Sequence, residues 1–236
     1  MRTEAALVSA AHVNFVGSFR KLAEHAAGGE VRFVGTVFAF VTGVPAPLLN
    51  GCVLIDDCDP AALDEALRWV ARSRLPFRVF VAGEPATALT EVLVAHSLSR
   101  DADPYPGMVL HPLPEPPARS ADIEVVDGLE PGLATYLPET FPDDTEVRVF
   151  SARVDHRPAG VSIAIRTGDV SGVYGVETPP EFRRRGVGTA VSWAAVNAGR
   201  EWGCDTIVLQ ATAAGLPVYE RMGFRTVLRY VTFTRP

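Results

Sequence analysis

The stretch VYGVETPPEFRRRGVGT, residues 173–189, combines an extended apolar run, a proline pair and a basic glycine turn. Apolar residues at helical spacing follow at once, so the stretch predicts a strand, a turn and a helix. Backbone N–H groups at a helix N-terminus carry about half a positive charge and bind phosphate groups. The arginines at positions 183–185 add full charges, and Gly186 and Gly188 let a ligand approach the backbone closely. We therefore expect a site for a phosphate or pyrophosphate group.

The composition is that of a soluble globular protein. The chain has 236 residues, 47% of them hydrophobic and 21% charged, which allows one large or two small domains. Its net charge of -6 weighs against nucleic-acid or acidic-membrane partners, and no apolar run is long enough to span a bilayer. Cys52, Cys58 and Cys204 show no metal-ligand spacing, so we expect no metal site, no disulfide and a cytoplasmic location.

A proline-rich segment, HPLPEPPARSA at residues 111–121, predicts an extended spacer between two halves. We place an N-terminal domain at residues 1–115 and a C-terminal domain at 116–236. Both halves alternate between strands and helices, which suits sheets with helices on both faces. The predicted strands are 31–41, 52–55, 77–81, 107–113, 123–126, 147–154, 159–166, 170–178, 206–211 and 224–234. The predicted helices are 15–26, 60–71, 85–96, 187–202 and 215–222, and residues 128–146 are expected to be irregular.

The halves differ where a strand leads into a helix. The C-terminal half has RRRGVG there, whereas the N-terminal half has IDDCDP at residues 55–60. Three carboxylates would repel an anion, and Pro60 lacks an N–H group. Only the C-terminal half is therefore expected to hold a phosphate.

Two common nucleotide motifs do not fit the basic turn. A dinucleotide-binding loop needs a third glycine where this chain has Val191, and no Gly-Lys-Ser/Thr sequence lies near the turn. What remains is R-x-x-G-x-G at residues 183–188, followed by Y-x-x-x-G-F at residues 219–224. Together the two motifs resemble those of the GNAT N-acetyltransferase superfamily, over about residues 123–233. The first half resembles the degenerate N-terminal half of tandem members.

This resemblance implies an α/β (α+β) fold of two GNAT-like halves, each a mixed, mostly antiparallel sheet with helices on both faces. It also implies transfer of an acetyl group from acetyl-CoA to a primary amine of a small molecule or peptide, by direct attack. By resemblance, Tyr219 donates a proton to the leaving thiolate, and the Val176 N–H polarises the thioester carbonyl. The implied cofactor-binding residues are Val176, Thr178, Arg183, Arg184, Arg185, Gly186, Val187, Gly188 and Thr189.

The acceptor amine calls for a base. An alkyl amine with a pKa near 10.4 costs about 4–5 kcal/mol to deprotonate at pH 7. Glu177 is the candidate base because it ends the strand at the reactive end, and an ordinary surface glutamate is the competing interpretation. Four further carboxylates remain open as alternatives: Glu139, Asp143, Asp144 and Glu181.

The chain departs from the family pattern in two places. The segment 128–146 is short and interrupted by prolines, whereas family members usually carry two helices there. After the fifth strand, where many members have an asparagine, this chain has Thr212-Ala213-Ala214. These departures keep two other classes open: an acyl-CoA-binding sensor without turnover, and a structural pseudoenzyme. We expect a monomer or a homodimer.

Overall fold

The computed structural model describes residues 2–56, 58–118 and 122–235. Its helices are α1 (Glu4–His25), α2 (Pro60–Ala71), α3 (Thr87–Ala95), α4 (Val187–Glu201) and α5 (Leu216–Arg221). Its strands are β1 (Glu30–Val34), β2 (Val37–Val41), β3 (Asn50–Leu54), β4 (Phe77–Ala82), β5 (Ser99–Arg100), β6 (Tyr105–Leu110), β7 (Glu124–Asp127), β8 (Val147–Val154), β9 (Arg157–Thr167), β10 (Val170–Glu177), β11 (Thr206–Gln210) and β12 (Arg225–Arg235).

The chain folds into two compact units. Unit 1 consists of Met1–Ser18 and Met108–Val227, and unit 2 consists of Phe19–Gly107 and Leu228–Pro236. This division differs from the linear one at residue 115, because the start of α1 belongs to unit 1 and most of β12 belongs to unit 2. The proline-rich segment at residues 111–121 was expected to separate two halves, but it falls within the Met108–Val227 part of unit 1. Local composition carries no signal for which unit the two chain ends join.

Unit 2 is a mixed sheet in the order β1-β2-β3-β4-β12, and β5 also pairs with β12. Strands β3 and β4 run parallel, whereas the β1–β2, β2–β3, β4–β12 and β5–β12 pairs are antiparallel. The stretch predicted as one strand over 31–41 is a hairpin of β1 and β2, turning at Gly35 with φ 56°. Helix α2 buries Leu63, Leu67 and Val70 against this sheet, and the Asp59 side chain caps its N-terminus.

Unit 1 is a sheet in the order β6-β11-β10-β9-β8-β7. Strands β10 and β11 are parallel, whereas β9 pairs antiparallel with both β8 and β10. Residues 128–146 contain a single 3-10 turn at Phe141–Asp143, in agreement with the irregular segment predicted there.

Helices cover both faces of the unit 1 sheet. Gly199 of α4 packs against Ser171, and the buried Asn14 of α1 packs against Gly172. Because neighbouring residues of a strand point to opposite faces, α4 and the start of α1 lie on opposite sides. The predicted fold class is therefore confirmed. No helix within the described ranges is long and apolar enough to cross a membrane.

Candidate active site

The basic turn connects β10 to α4, as predicted. Gly186 is the N-cap of α4, with φ 85°, and no side chain caps the helix start. The first N–H groups of α4 therefore lack intrahelical acceptors and point out of the helix end. A Cβ atom placed on Gly188 would meet only the Thr178 Oγ1, at 3.5 Å. The space between the end of β10 and the start of α4 is thus open to an anion.

The three arginines of the turn have different partners. The Arg183 Nε donates a hydrogen bond to the Thr178 carbonyl at 3.1 Å, which ties the turn to the end of the strand. Arg185 lies over the Phe182 ring at 5.9 Å and approaches Asp155 at 3.7 Å. Arg184 is exposed and pairs with no other residue in the described part of the chain. Arg184 is therefore the member of the triplet whose charge is freest to meet a ligand.

Strand β10 contains a bulge immediately before the turn. Tyr174 pairs with Ile163 and Glu177 pairs with Val161, so β10 holds one residue more than β9 over this interval. Gly175 has a left-handed φ of 55°, and a Cβ there would lie 2.6 Å from the Tyr136 hydroxyl. A bulge interrupts the regular hydrogen-bond ladder. It places Val176 within the interruption of the ladder between Tyr174 and Glu177.

Strands β10 and β11 pair only at their starts. The parallel register covers Val170 to Gly172 against Thr206 to Val208, although β10 continues to Glu177 and β11 to Gln210. Beyond Gly172 the two neighbouring strands make no further register pairs in the described structure. A gap in the sheet therefore opens beside the bulge.

Tyr219 of α5 lies on the same face of the sheet as α4. Its side chain is 8% exposed and belongs to an apolar cluster with Val173 and Leu209, against which Val176 also packs. Burial raises the pKa of the Tyr219 hydroxyl, and the Ser192 hydroxyl acts in the opposite direction. The hydroxyl is thus protonated at neutral pH and can serve as a donor.

A cavity of about 410 Å³ adjoins the turn within unit 1. Its lining comes from α4, α5 and the proline-rich spacer: Thr189, Trp193, Val218, Arg221, Met222, Pro114, Glu115 and Pro117. Arg221 is exposed and forms no ion pair among the described residues. The cavity therefore combines a largely apolar lining with the positive charge of Arg221, which is the last residue of α5.

Glu177 lies at the end of β10, beside the irregular segment. Burial raises the pKa of its carboxyl group, and the nearby Ala134 backbone N–H acts in the opposite direction. Burial and the Glu177 charge also raise the pKa of the Tyr136 hydroxyl. A carboxyl with a raised pKa is a stronger base than a solvated one.

Two of the alternative carboxylates have partners elsewhere. Glu181 lies 3.6 Å from Arg157, and the Asp144 Oδ1 accepts a hydrogen bond from the Glu146 N–H at 2.8 Å. Glu139 and Asp143 are exposed on the irregular segment. Glu177 is the candidate that the structure brings next to the bulge.

Among the residues that the structure describes, unit 2 shows none of these features at its equivalent junction. The Asp59 side chain accepts a hydrogen bond from the Ala61 N–H at 3.0 Å, so a carboxylate of the chain occupies the start of α2. Strands β3 and β4 stay paired through Leu54 and Val81, and the β2–β3 register shows no shift. Asp57, one of the three predicted carboxylates, lies outside the described residues.

Within residues 2–56, 58–118 and 122–235, no three His, Cys, Asp or Glu side chains are placed to hold a metal ion. Two residues beside the bulge and the gap were not singled out from the sequence: Tyr136 and Gln210. Tyr136 stands in a segment without periodicity, and Gln210 ends an ordinary buried strand. Tertiary contacts determine where these two residues lie, and no local sequence pattern indicates it.

Residues 119–224 match the sequence model of the acetyltransferase (GNAT) family. No curated protein matches the chain in sequence. Residues 119–224 therefore form a GNAT acetyltransferase domain, which indicates an acyltransferase.

Similar solved structures show the same fold over the whole chain. A GCN5-related N-acetyltransferase from Kribbella flavida is 19% identical, with a TM-score of 0.66, covering 96% of this chain and 95% of that one. A tandem GNAT protein from the clavulanic acid biosynthesis pathway is 17% identical, with a TM-score of 0.58 and coverages of 95% and 87%. A GNAT-family protein from Novosphingobium aromaticivorans, described as a putative acetyltransferase, is 16% identical, with a TM-score of 0.55 and coverages of 90% and 95%.

Proposed function

We propose that the chain transfers an acetyl group from acetyl-CoA to a primary amine at one site, located in unit 1. The observation that carries this proposal is the bulge at Gly175, which interrupts the strand ladder at Val176 beside the gap between β10 and β11. An oriented N–H group at that place can stabilise negative charge that develops on a carbonyl oxygen.

The start of α4 would hold the pyrophosphate of acetyl-CoA. Backbone N–H groups of residues 184–189 and the helix dipole supply the attraction, and the open space at Gly188 admits the phosphates. Arg184 and Arg185 add charge, while Arg183 keeps the turn in shape through the Thr178 carbonyl. The pantetheine arm would then run along Val176 and Thr178 towards the bulge, and the cavity between α4 and α5 leaves room for it.

The reaction would be a direct attack of the amine nitrogen on the thioester carbonyl carbon. A new N–C bond forms and the C–S bond breaks, so the nitrogen must lose a proton and the sulfur must gain one. A coenzyme A thiol has a pKa near 8.5 if cysteine is taken as its model. Tyr219, with a buried and protonated hydroxyl, would supply the proton that the departing thiolate takes up.

Glu177 would receive the proton that the amine loses. Its carboxylate ends the strand that carries the bulge, and its raised pKa makes it a better proton acceptor than a free glutamate. Its negative charge also favours a cationic amine as the incoming acceptor. The acceptor is thus proposed to be a small molecule or peptide with a primary amine, and neither nucleic acid nor a membrane is expected as a partner.

Release of free thiol from acetyl-CoA, measured with and without a library of primary amines, tests the proposal. We expect steady thiol release that depends on both acetyl-CoA and an amine. The sensor alternative predicts that acetyl-CoA binds without amine-dependent release, and the pseudoenzyme alternative predicts no binding. Either of those two results would contradict the proposed function.

A further inference from the structure

Gln210 carries a buried polar group that the fold itself does not use. Both atoms of its side-chain amide are inaccessible to solvent, and neither has a hydrogen-bond partner in the described structure. An unpaired buried amide costs about 1–3 kcal/mol of stability. Gln210 is the last residue of β11, where the strand borders the gap in the unit 1 sheet.

The strand pattern gives the face on which this amide lies. Ile207 and Leu209 pack in the apolar cluster that contains residues of α4 and α5. Because side chains alternate along a strand, Gln210 projects to the opposite face of the sheet. Gly172 pairs with Val208, so Gln210 lies level with Tyr174, two residues further along.

That level is also the level of the bulge. Tyr174 directly precedes Gly175, and its hydroxyl donates to the Asn14 Oδ1 at 2.7 Å, so this neighbour is already satisfied. The Tyr136 hydroxyl reaches Gly175, and Glu177 follows two residues later at the end of β10. These groups adjoin the gap from the side that is not occupied by α4 and α5.

The two faces of the gap therefore offer different surroundings. The open helix start of α4 and the Tyr219 hydroxyl lie on one face, which the proposed function assigns to acetyl-CoA. The other face is the one that we assign to the amine. Asn14 of α1 covers it at Gly172, and near the bulge the chain places a neutral amide, Gln210, and a carboxylate, Glu177. A carboxamide has two N–H donors and one oxygen acceptor, so it matches another amide or a hydroxyl group.

We propose that Gln210 determines acceptor specificity by hydrogen-bonding to a neutral amide or hydroxyl group next to the reacting amine. This inference rests on the proposed function, since it needs an acceptor site at the same gap. Acceptors of this class are amino amides and amino alcohols. An acceptor with a carboxylate at that position would be disfavoured, because Glu177 would repel it.

Glycinamide and isobutylamine are suitable probes, because they have the same number of heavy atoms and differ in the amide. The kcat/KM values for both are measured with acetyl-CoA in the wild type and in Gln210→Met, which keeps the side-chain length without the amide. We expect the ratio of glycinamide to isobutylamine to fall by about 10- to 100-fold in Gln210→Met, as for the loss of a buried hydrogen bond. The different basicities of the two amines cancel, because the ratio is compared between proteins.

Two further readouts separate recognition from a structural role. Acetyl-CoA affinity, measured by calorimetry, should stay unchanged in Gln210→Met, and the free variant should unfold at the same or a higher temperature. Replacing an unpaired buried amide with an apolar side chain removes its desolvation cost. Thr167→Val is the matched control, since the Thr167 hydroxyl is also buried and unpaired but lies at the far end of β9. It should leave the amine ratio unchanged.

Each contrary result has a distinct meaning. An unchanged amine ratio, weaker acetyl-CoA binding or a lower unfolding temperature in Gln210→Met would overturn the assignment of Gln210 to the acceptor. A wild type that binds acetyl-CoA but consumes neither probe would overturn it as well. Absence of acetyl-CoA binding by the wild type would instead refute the proposed function.

Discussion

Replacing Gly188 with alanine should change stability and cofactor affinity in opposite directions. Gly188 is the second residue of α4 and its φ is not left-handed, so alanine is compatible with its backbone. The added Cβ would meet the Thr178 Oγ1 at 3.5 Å, an ordinary van der Waals contact. Alanine is favoured over glycine in a helix by up to about 1 kcal/mol. For a chain of this size, that corresponds to a rise in Tm of about 2–4 °C.

The same methyl group would lie between the end of β10 and the start of α4, where the phosphate is expected. Each charge-assisted hydrogen bond to the phosphate contributes about 1.5–3 kcal/mol. Loss of one such bond predicts an acetyl-CoA Kd about 10- to 150-fold higher. Calorimetry measures the affinity, and thermal unfolding of the free protein measures the stability.

Gly203→Ala is the control at the other end of α4. Gly203 has a left-handed φ of 79° and open space around it, so alanine there strains the backbone without approaching the turn. This variant should lose stability and keep its acetyl-CoA affinity. The reasoning is refuted if Gly188→Ala binds acetyl-CoA as the wild type does, or if its affinity and stability fall together.

The remaining predictions concern four other side chains. Tyr219→Phe should lower turnover by about 10²–10⁴-fold with little change in acetyl-CoA affinity; normal turnover in steady-state thiol release would make Tyr219 a packing residue. In the wild type, kcat/KM should fall on acidification from a pH above the usual glutamate pKa, because the pKa of Glu177 is raised in the folded protein. Glu177→Gln should abolish this pH dependence, measured as kcat/KM against pH. The raised pKa also means that ionisation of Glu177 destabilises the fold as pH rises, so the glutamine variant should be no less stable at pH 7 by thermal unfolding. Arg184→Gln should weaken acetyl-CoA binding and reduce its salt dependence in calorimetry, because an exposed charge is screened; an unchanged salt dependence would count against this role. Asp59→Ala should cost about 0.5–2 kcal/mol in denaturant unfolding through loss of the α2 cap, without any change in acetyl-CoA binding.

Elements with strong local signals were predictable from the sequence. Helix α2 begins at Pro60, as predicted, and β8 occupies the predicted residues 147–154 and pairs with β9 across a turn at residues 155–156. The β1–β2 hairpin was missed because β-branched and aromatic residues continue on both sides of Gly35, so that composition alone favours one strand. The sequence also did not predict that Met1–Ser18 belongs to unit 1 and Leu228–Pro236 to unit 2, since tertiary packing decides which unit each chain end joins.

The candidate site divides in the same way. The glycine turn at residues 183–188 and Tyr219 were expected because both stand in motifs with fixed spacing. The bulge at Gly175 depends on the register of the partner strand, which no single-strand pattern contains. The roles of Tyr136 and Gln210 depend on which face of which strand they reach, and this requires the sheet order.

Titration of the wild-type protein with acetyl-CoA in a calorimeter tests the central claim most directly, because the claim assigns one cofactor site to unit 1 and none to unit 2. The predicted result is a stoichiometry close to one per chain, with the heat strongly reduced in Gly188→Ala at the same concentrations. A stoichiometry close to two, or no binding heat at several temperatures, would contradict the account.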